Sequence, residues 1–391
     1  MPGTPIRLLA SCAGAGLALV SGVPSAEAAL PTFRVVVVGG DHTCGITTAG
    51  GVRCWGRNDT GQIGDGTRED RYVSTPVAGL SSGVASVSVG GSHTCAVMAD
   101  GGVRCWGRNS KGQLGDGTRI NRLVPTVVPG LSGIAAVRAG GAHTCAVTTG
   151  GQARCWGDNA YGQLGDGTTT LRLTPVAVAG LGPVRQISPS LDSHTCAVTT
   201  AGGVKCWGLN YFGQLGDGTT TDRTRPVAVS GMGSGVSVVG AGGYFSCART
   251  PAGAVRCWGY NASGQLGDGT RITRHRPVAV SGYATGGVAG LAVGEDHACV
   301  KTTAGWPMMC WGANGSYQLG DGTPTDHSRP HAVGNLRTGA TSVTAGRYTS
   351  CAITPGNVAK CWGEGTYGKV GHGDEDYPGV PTYYGYPVTV R

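Results

Sequence analysis

Short runs of valine, threonine and alanine alternate with small or polar residues from Phe33 almost to the end of the chain. Val35-Val36-Val37-Val38, Val84-Ala85-Ser86-Val87-Ser88-Val89 and Ile134-Ala135-Ala136-Val137 are typical. Glycine-rich turns interrupt these runs roughly every ten residues. β-Branched residues in short, regularly punctuated runs predict short antiparallel strands throughout, an all-β chain.

The pattern repeats. Each unit reads, with variations, G-x-x-H-T-C-A-V-T-x-x-G-x-V-x-C-W-G-x-N-x-x-G-Q-L-G-D-G-T, then a variable stretch and P-V-x-V. The first cysteines of the seven units are 51, 50, 51, 51, 52 and 52 residues apart. Self-similarity at this period marks a repeat architecture, and several short strands per unit suit a propeller blade. Within a unit, Cys145 and Cys155 flank the turn Thr149-Gly150-Gly151 symmetrically, so a hairpin centred there sets the two cysteines face to face. Trp156, next in sequence, then points to the opposite face, toward a neighbouring unit.

The string C-W-G-x-N-x-x-G-Q-L-G-D-G-T, with G-x-x-H-T before it, resembles the repeat of the RCC1-like (regulator of chromosome condensation) family over roughly residues 33–391. That resemblance implies an all-β, seven-bladed β-propeller built from seven repeats of about 51 residues. It also implies a ring closed by the last strand, Pro387-Val388-Thr389-Val390, completing a blade with the N-terminal strands. The paired cysteines depart from the intracellular members that act on a Ran-like GTPase.

Those cysteines bear on location. Residues 1–28 carry Arg7, an apolar stretch from Leu8 to Val20 and a small-residue exit, Ser25-Ala26-Glu27-Ala28, the form of a cleaved secretory leader. Leu9-Ala10-Ser11-Cys12 has the shape of a lipobox, but most of the apolar run follows the cysteine. Of fifteen cysteines, Cys12 falls in the leader. The other fourteen form seven pairs: Cys44 with Cys54, Cys95 with Cys105, Cys145 with Cys155, Cys196 with Cys206, Cys247 with Cys257, Cys299 with Cys310, and Cys351 with Cys361. Zinc ligand pairs sit two to four residues apart, so spacings of ten or eleven favour disulfides in an exported chain. Residues 29–391 are then one propeller domain, secreted, periplasmic or on the cell surface, with no membrane span. The net charge of +8 is spread without a dense basic run, which argues against a nucleic-acid partner.

Residues shared by the repeats read as structural. His42, His93, His143, His194 and His297 recur at one position, where Phe245 and Thr349 stand in the other copies. A histidine ring around the shaft is one reading; hydrogen bonds to a neighbouring turn, repeated in each blade, are the simpler one. The G-D-G aspartates (Asp65, Asp116, Asp166, Asp217, Asp268 and Asp321) and the asparagines of W-G-x-N read as turn formers rather than calcium ligands. No catalytic constellation of unlike groups stands out, so neither an enzyme nor a cofactor is expected.

Residues that break the repeat carry the functional signal. Two slots vary: the pair before H-T-C, and the x positions of W-G-x-N-x-x-G. Aromatic residues gather there, at Tyr161, Tyr211, Phe212, Tyr244, Tyr260, Tyr348 and Tyr367, joined by Phe245 at the histidine position. Arg57, Arg108, Lys111 and Arg347 occupy the same slots. Aromatic and arginine side chains on a rigid concave surface make interface anchors. The expected function is a monomeric, non-catalytic protein-binding module of inhibitor, receptor or adhesion type. Carbohydrate binding on the tyrosines is the alternative, and guanine-nucleotide exchange, which the resemblance also implies, sits poorly with export.

Overall fold

The computed structural model describes residues 30–304, 307–336, 339–374 and 382–391. Residues 1–28, expected to be a leader and holding Cys12, lie outside the described residues, as does Tyr377. From Pro31 onward the chain is one compact unit, and no helix among the described residues is long and apolar enough to cross a membrane.

The first repeat shows why these residues fold as they do. Four strands, β1 (Phe33–Val38), β2 (His42–Thr47), β3 (Val52–Gly56) and β4 (Arg71–Pro76), pair antiparallel in the order β1-β2-β3-β4. Cys44 stands opposite Cys54 across β2 and β3, and the two are joined as a disulfide. Gly56 ends β3 with φ +111°, and a Cβ there would meet the His42 backbone at 2.7 Å, so glycine is required. Six further four-stranded sheets follow, at residues 84–127, 134–177, 184–228, 238–279, 288–332 and 342–389.

Each of these sheets carries its own disulfide at the same place, as the cysteine spacing predicts. Cys95 is joined to Cys105, Cys145 to Cys155 and Cys196 to Cys206. Cys247 is joined to Cys257, Cys299 to Cys310 and Cys351 to Cys361. Each bridge closes a small loop and contributes about 2–3 kcal/mol on a chain-entropy estimate. The first strands of successive sheets touch one another all the way round, so they line the shaft and the fourth strands form the outer rim. The molecule is a seven-bladed β-propeller.

Blades are joined by a recurring set of contacts. The disulfide face of one blade packs on the indole of the next: Cys44 and Cys54 share a buried cluster with Trp106, and Cys95 and Cys105 with Trp156. Each of the seven indoles is fully buried, corresponding to about 4–6 kcal/mol of apolar transfer apiece before entropy. Gly64 lies beneath Trp106, where a Cβ would come within 2.5 Å of the indole nitrogen. That nitrogen donates to the Gln62 carbonyl of the preceding blade at 3.0 Å, and Thr94 Oγ1 donates to the same oxygen at 2.9 Å.

The histidine position belongs to this joint. His42 Nε2 lies 2.7 Å from Thr94 Oγ1. The Thr94 proton is already committed to Gln62, so the hydroxyl oxygen accepts from His42 Nε2–H, and Nδ1 has no partner among the described residues. His93, His143, His194 and His297 repeat the arrangement with Thr144, Thr195, Ser246 and Ser350 of the following blades. Burial pushes these imidazoles down from 6.5 to about 3, and His143 to about 4. They are therefore neutral joint residues, each bonded to the next blade's second strand. At the fifth copy, Phe245 replaces histidine and the next blade carries Ala298 in place of threonine; both are fully buried in one cluster. A polar pair has been exchanged as a unit for an apolar one.

Closure departs from the expectation. The final strand, Tyr383–Thr389, pairs with Val358–Glu364 inside the seventh blade and not with the N-terminal strands. The reason is phase: the first described strand is an innermost strand and the last an outermost one, so every blade is built from contiguous chain. The seam is closed by side chains and backbone instead. Phe33 packs with Ile353, Ala359 and Val390, the Ser74 N–H donates to Arg391 O at 2.8 Å, and the Arg347 N–H donates to Gly39 O at 3.0 Å. Buried Lys369 replaces the usual glutamine here; its carbonyl accepts from Thr43 Oγ1 at 2.8 Å, while Trp55 Nε1 has no partner among the described residues.

Two outcomes are expected. Phe33→Ala opens a cavity at the seam and lowers stability by about 3–5 kcal/mol in denaturant unfolding. Between about pH 6.5 and 3 the unfolded chain binds protons that the five buried histidines refuse, so their contribution is complete above pH 6.5 and is lost as pH falls. Transplanting the apolar joint as His93→Phe with Thr144→Ala should therefore flatten the acid limb of a plot of Tm against pH; an unchanged slope contradicts this account.

Candidate interaction face

Both variable slots lie at one end of the ring. In every blade the residue before the histidine position and the residue after W-G are bridged by backbone: Arg57 N–H to Asp41 O (3.0 Å), Arg108 N–H to Ser92 O (2.9 Å), Tyr260 N–H to Tyr244 O (2.9 Å), Glu364 N–H to Tyr348 O (2.9 Å). The bond follows from the hairpin register, in which His42 stands opposite Gly56. The slot residues of seven blades thus surround one mouth of the shaft.

The aromatic residues divide into two groups. Phe212 is half-buried and touches three rings: Tyr211 (centroids 4.8 Å), Tyr244 (5.4 Å) and Tyr260 (4.7 Å). Tyr161 of the preceding blade stands across a cleft of about 600 Å³ lined also by Tyr211, Phe212, Asp222 and Tyr244. Tyr211 is 71% exposed and Tyr161 43%, high values for tyrosine and the largest aromatic exposure on this face. Edge-to-face packing around Phe212 fixes the orientation of the exposed ring. Tyr348 and Tyr367 lie elsewhere, under Lys369 Nζ (5.7 Å) and the Arg57 guanidinium (5.1 Å) respectively. Phe245 does not belong to the face. Successive strand residues point to opposite sides, so Tyr244 is turned outward and Phe245 into the blade joint.

The cations are largely neutralised. Arg57 pairs with Asp41 (3.4 Å) and Asp59 (2.7 Å), Lys111 with Asp158 (3.3 Å), and Arg347 with Glu295 (2.5 Å). Arg108 bonds Ser110 Oγ at 3.1 Å and no carboxylate among the described residues. The mouth is thus of mixed charge rather than basic. Its acids, Asp41, Asp192, Glu295 and Asp296, were not singled out by sequence although they occupy the same slots.

Asp192 sits on an insertion. Three residues lie between Ser190 and His194, against two between Gly140 and His143. Elsewhere a backbone bond links adjacent slots, such as Gly40 N–H to Gly90 O (3.0 Å) and Gly141 N–H to Ser190 O (2.9 Å). Among the described residues, the junction of blades four and five alone lacks it. Asp192 Oδ2 is buried there without a hydrogen-bond partner among the described residues, beside a cavity of about 360 Å³ shared with Asp41, Arg57, Arg108 and Arg347. Burial and the nearby Glu295 charge, opposed by Arg347, push its carboxyl up from 3.8 to about 6. Burial likewise raises Glu295 and Asp296. Among the described residues, no three metal-ligating atoms converge on this face.

Between pH 3.8 and about 6 the folded protein keeps a proton on Asp192 that the unfolded chain has lost. Stability therefore falls as pH rises through that window, and ionised Asp192 is a burden at neutral pH. Asp192→Asn is expected to raise Tm by about 2 °C near pH 7.5 and to leave it unchanged near pH 3.5, as scanning calorimetry would read.

The geometry has counterparts in known proteins. A family model described as RCC1-like domain matches residues 13–339. The ultraviolet-B receptor UVR8 of Arabidopsis thaliana is 31% identical over 368 residues, covering 91% of this chain and 72% of the receptor. The human E3 ubiquitin-protein ligase HERC2 is 35% identical over 354 residues, 88% of this chain but only 6% of the ligase. Among solved structures, yeast RCC1 (Prp20) bound to Kap60 matches with a TM-score of 0.74 at 20% identity, covering 92% of this chain and 85% of that one. Human WBSCR16 matches at 0.72 with 24% identity, covering 81% and 85%. With the blade count, the repeat and the family match in agreement, the chain belongs to the RCC1-like domain family.

Proposed function

We propose that this chain is an exported, non-catalytic propeller that binds a protein partner on its slot face, with Tyr211 and Tyr161 as the anchors. One observation carries this reading: Phe212 holds Tyr211 edge-on while leaving it 71% exposed beside an open cleft. A large aromatic ring presented in a fixed orientation on a rigid scaffold loses little entropy on binding, which is the physical basis of a hot spot. Asp222 and the mixed-charge mouth add polar complementarity around that apolar centre.

Relatives support a binding role. Yeast RCC1 (Prp20) is described in complex with Kap60, and Prp20p is described for its binding to Gsp1p and histones. UVR8 is described as a receptor. A ubiquitin-ligase activity has no footing here, because the match covers 6% of HERC2. Seven disulfides support export, since such frameworks persist in oxidising compartments. In this reading residues 1–28 are a cleaved leader and 29–391 the working domain.

Carbohydrate is the second reading, favoured by the tyrosine-lined cleft with Asp222 and Thr221 at its wall. The two are separated by crosslinking capture from the producing organism's surface and surroundings, run beside a glycan array. A protein captured by the wild type and weakened at least about ten-fold by Tyr161→Ser with Tyr211→Ser supports the proposal. Glycan binding lost in the same variant moves the assignment to carbohydrate, and capture that ignores both substitutions removes this face from consideration.

A further inference from the structure

The outer strand of the sixth blade departs from the repeat twice, and both departures meet at one point. In blades one to five the G-D-G aspartate pairs with an arginine six residues on: Arg71 with Asp65 (2.6 Å), Arg122 with Asp116 (2.7 Å), Arg172 with Asp166 (2.8 Å), Arg223 with Asp217 (2.8 Å) and Arg274 with Asp268 (3.5 Å). In blade six that arginine is His327. Four residues further on, where the other five blades carry threonine or valine, stands His331.

In a regular strand, residues i and i+4 lie too far apart for their side chains to share a ligand. Here the strand is bulged: Gly312 pairs with His327 and Cys310 with His331, so residues 328–330 stand opposite the single Trp311. The bulge folds the two imidazoles onto each other, with centroids 4.1 Å apart and planes within 6°. Their Nε2 atoms lie 2.7 and 4.0 Å from the same oxygen, Asp321 Oδ2. All three potential ligand atoms fall within 4.8 Å of one another.

We propose that Asp321, His327 and His331 form a binding site for a divalent first-row transition ion of the zinc class, on the outer rim of blade six and separate from the slot face. The carboxylate is held for the task. Its Oδ1 accepts from Thr323 N–H (2.9 Å), Thr323 Oγ1 (3.0 Å) and Asn314 Nδ2 (3.0 Å), which turns Oδ2 toward the histidines. Such outer bonds orient a ligand before the ion arrives. Bond lengths to zinc of about 2.0–2.2 Å place tetrahedral donors roughly 3.3 Å apart, so His327 draws back slightly from Oδ2 and His331 swings in to complete the set. Two imidazole nitrogens and one carboxylate oxygen suit zinc and its neighbours better than calcium or magnesium, which take oxygen cages. Asp321 is 4% exposed and His331 52%, so the fourth position faces solvent.

The competing view is that His327 merely stands in for the arginine as an ion-pair partner. The other blades supply a variant that separates the two without breaking the fold: His327→Arg with His331→Val rebuilds the pair found in blades three to five. Purified, chelator-stripped protein is titrated with ZnCl₂ by calorimetry, with CaCl₂ in parallel, and melting curves are recorded with and without zinc. The expected result is one zinc ion per chain, a zinc-dependent rise in Tm, and at least about ten-fold weaker binding in the double variant, which keeps the wild-type metal-free Tm and circular dichroism. Zinc binding of equal strength in the folded double variant, no zinc binding by the wild type, or calcium binding as tight as zinc overturns the proposal.

Discussion

One carbonyl oxygen per blade bears the joint between neighbours. The Gln62 oxygen accepts both the indole N–H of Trp106 and the hydroxyl of Thr94, and that hydroxyl in turn accepts from His42. Three residue types in two blades are tied to one acceptor, with a disulfide on one side and a tryptophan on the other. A chain with 73 glycines and three phenylalanines has few bulky groups with which to fill a core. It compensates by burying the same indole seven times and satisfying its N–H in six of them. Everything at the slot face depends on this, because the slots begin one residue beyond the joint.

The rigidity so obtained explains how surface side chains can be held out into solvent. Tyr211 has no need to fold back for shelter, since Phe212 beside it is braced by Tyr244 and Tyr260 of the next blade. The mouth of the shaft works by the opposite logic. There, charged residues line a cavity, and the insertion at Asp192 leaves one carboxylate without a hydrogen-bond partner among the described residues where the regular backbone bond is missing. An apolar cleft and a partly unsatisfied polar hub therefore adjoin on one face.

Much of this was legible in the repeat. Cysteine spacing predicts the bridges, because a hairpin places residues symmetric about its turn opposite each other. All seven pairs, from Cys44 with Cys54 to Cys351 with Cys361, are bridged accordingly. Grouping of the two slots at one end follows from the same hairpin. What escaped is what depends on contacts between repeats. The histidine bond reaches a residue 52 positions away in another blade, and no local pattern announces it. Phe245 seemed a surface aromatic because it adjoins Tyr244, yet strand alternation buries it. The final strand closes its own blade because of its phase along the chain, which its P-V-x-V sequence does not reveal. His327 and His331 stand four apart in sequence and meet only through a bulge, which the intervening Pro330 hints at without locating.

The coupled exchange of Phe245 with Ala298 has a consequence for how such a ring can change over time. Although the seven units look interchangeable, each carries half of a lock for the unit ahead and half of a key for the unit behind. A copy of blade five inserted before a threonine-bearing neighbour would leave that hydroxyl facing a benzene ring, and a copy of blade six placed after a histidine would offer it only a methyl group. Blades four and seven carry their own irregular edges, the insertion at Asp192 and the lysine at 369. Shuffling or duplicating single blades is therefore restricted to those with standard edges, and the order of the ring is recorded in its junctions as much as in its surface.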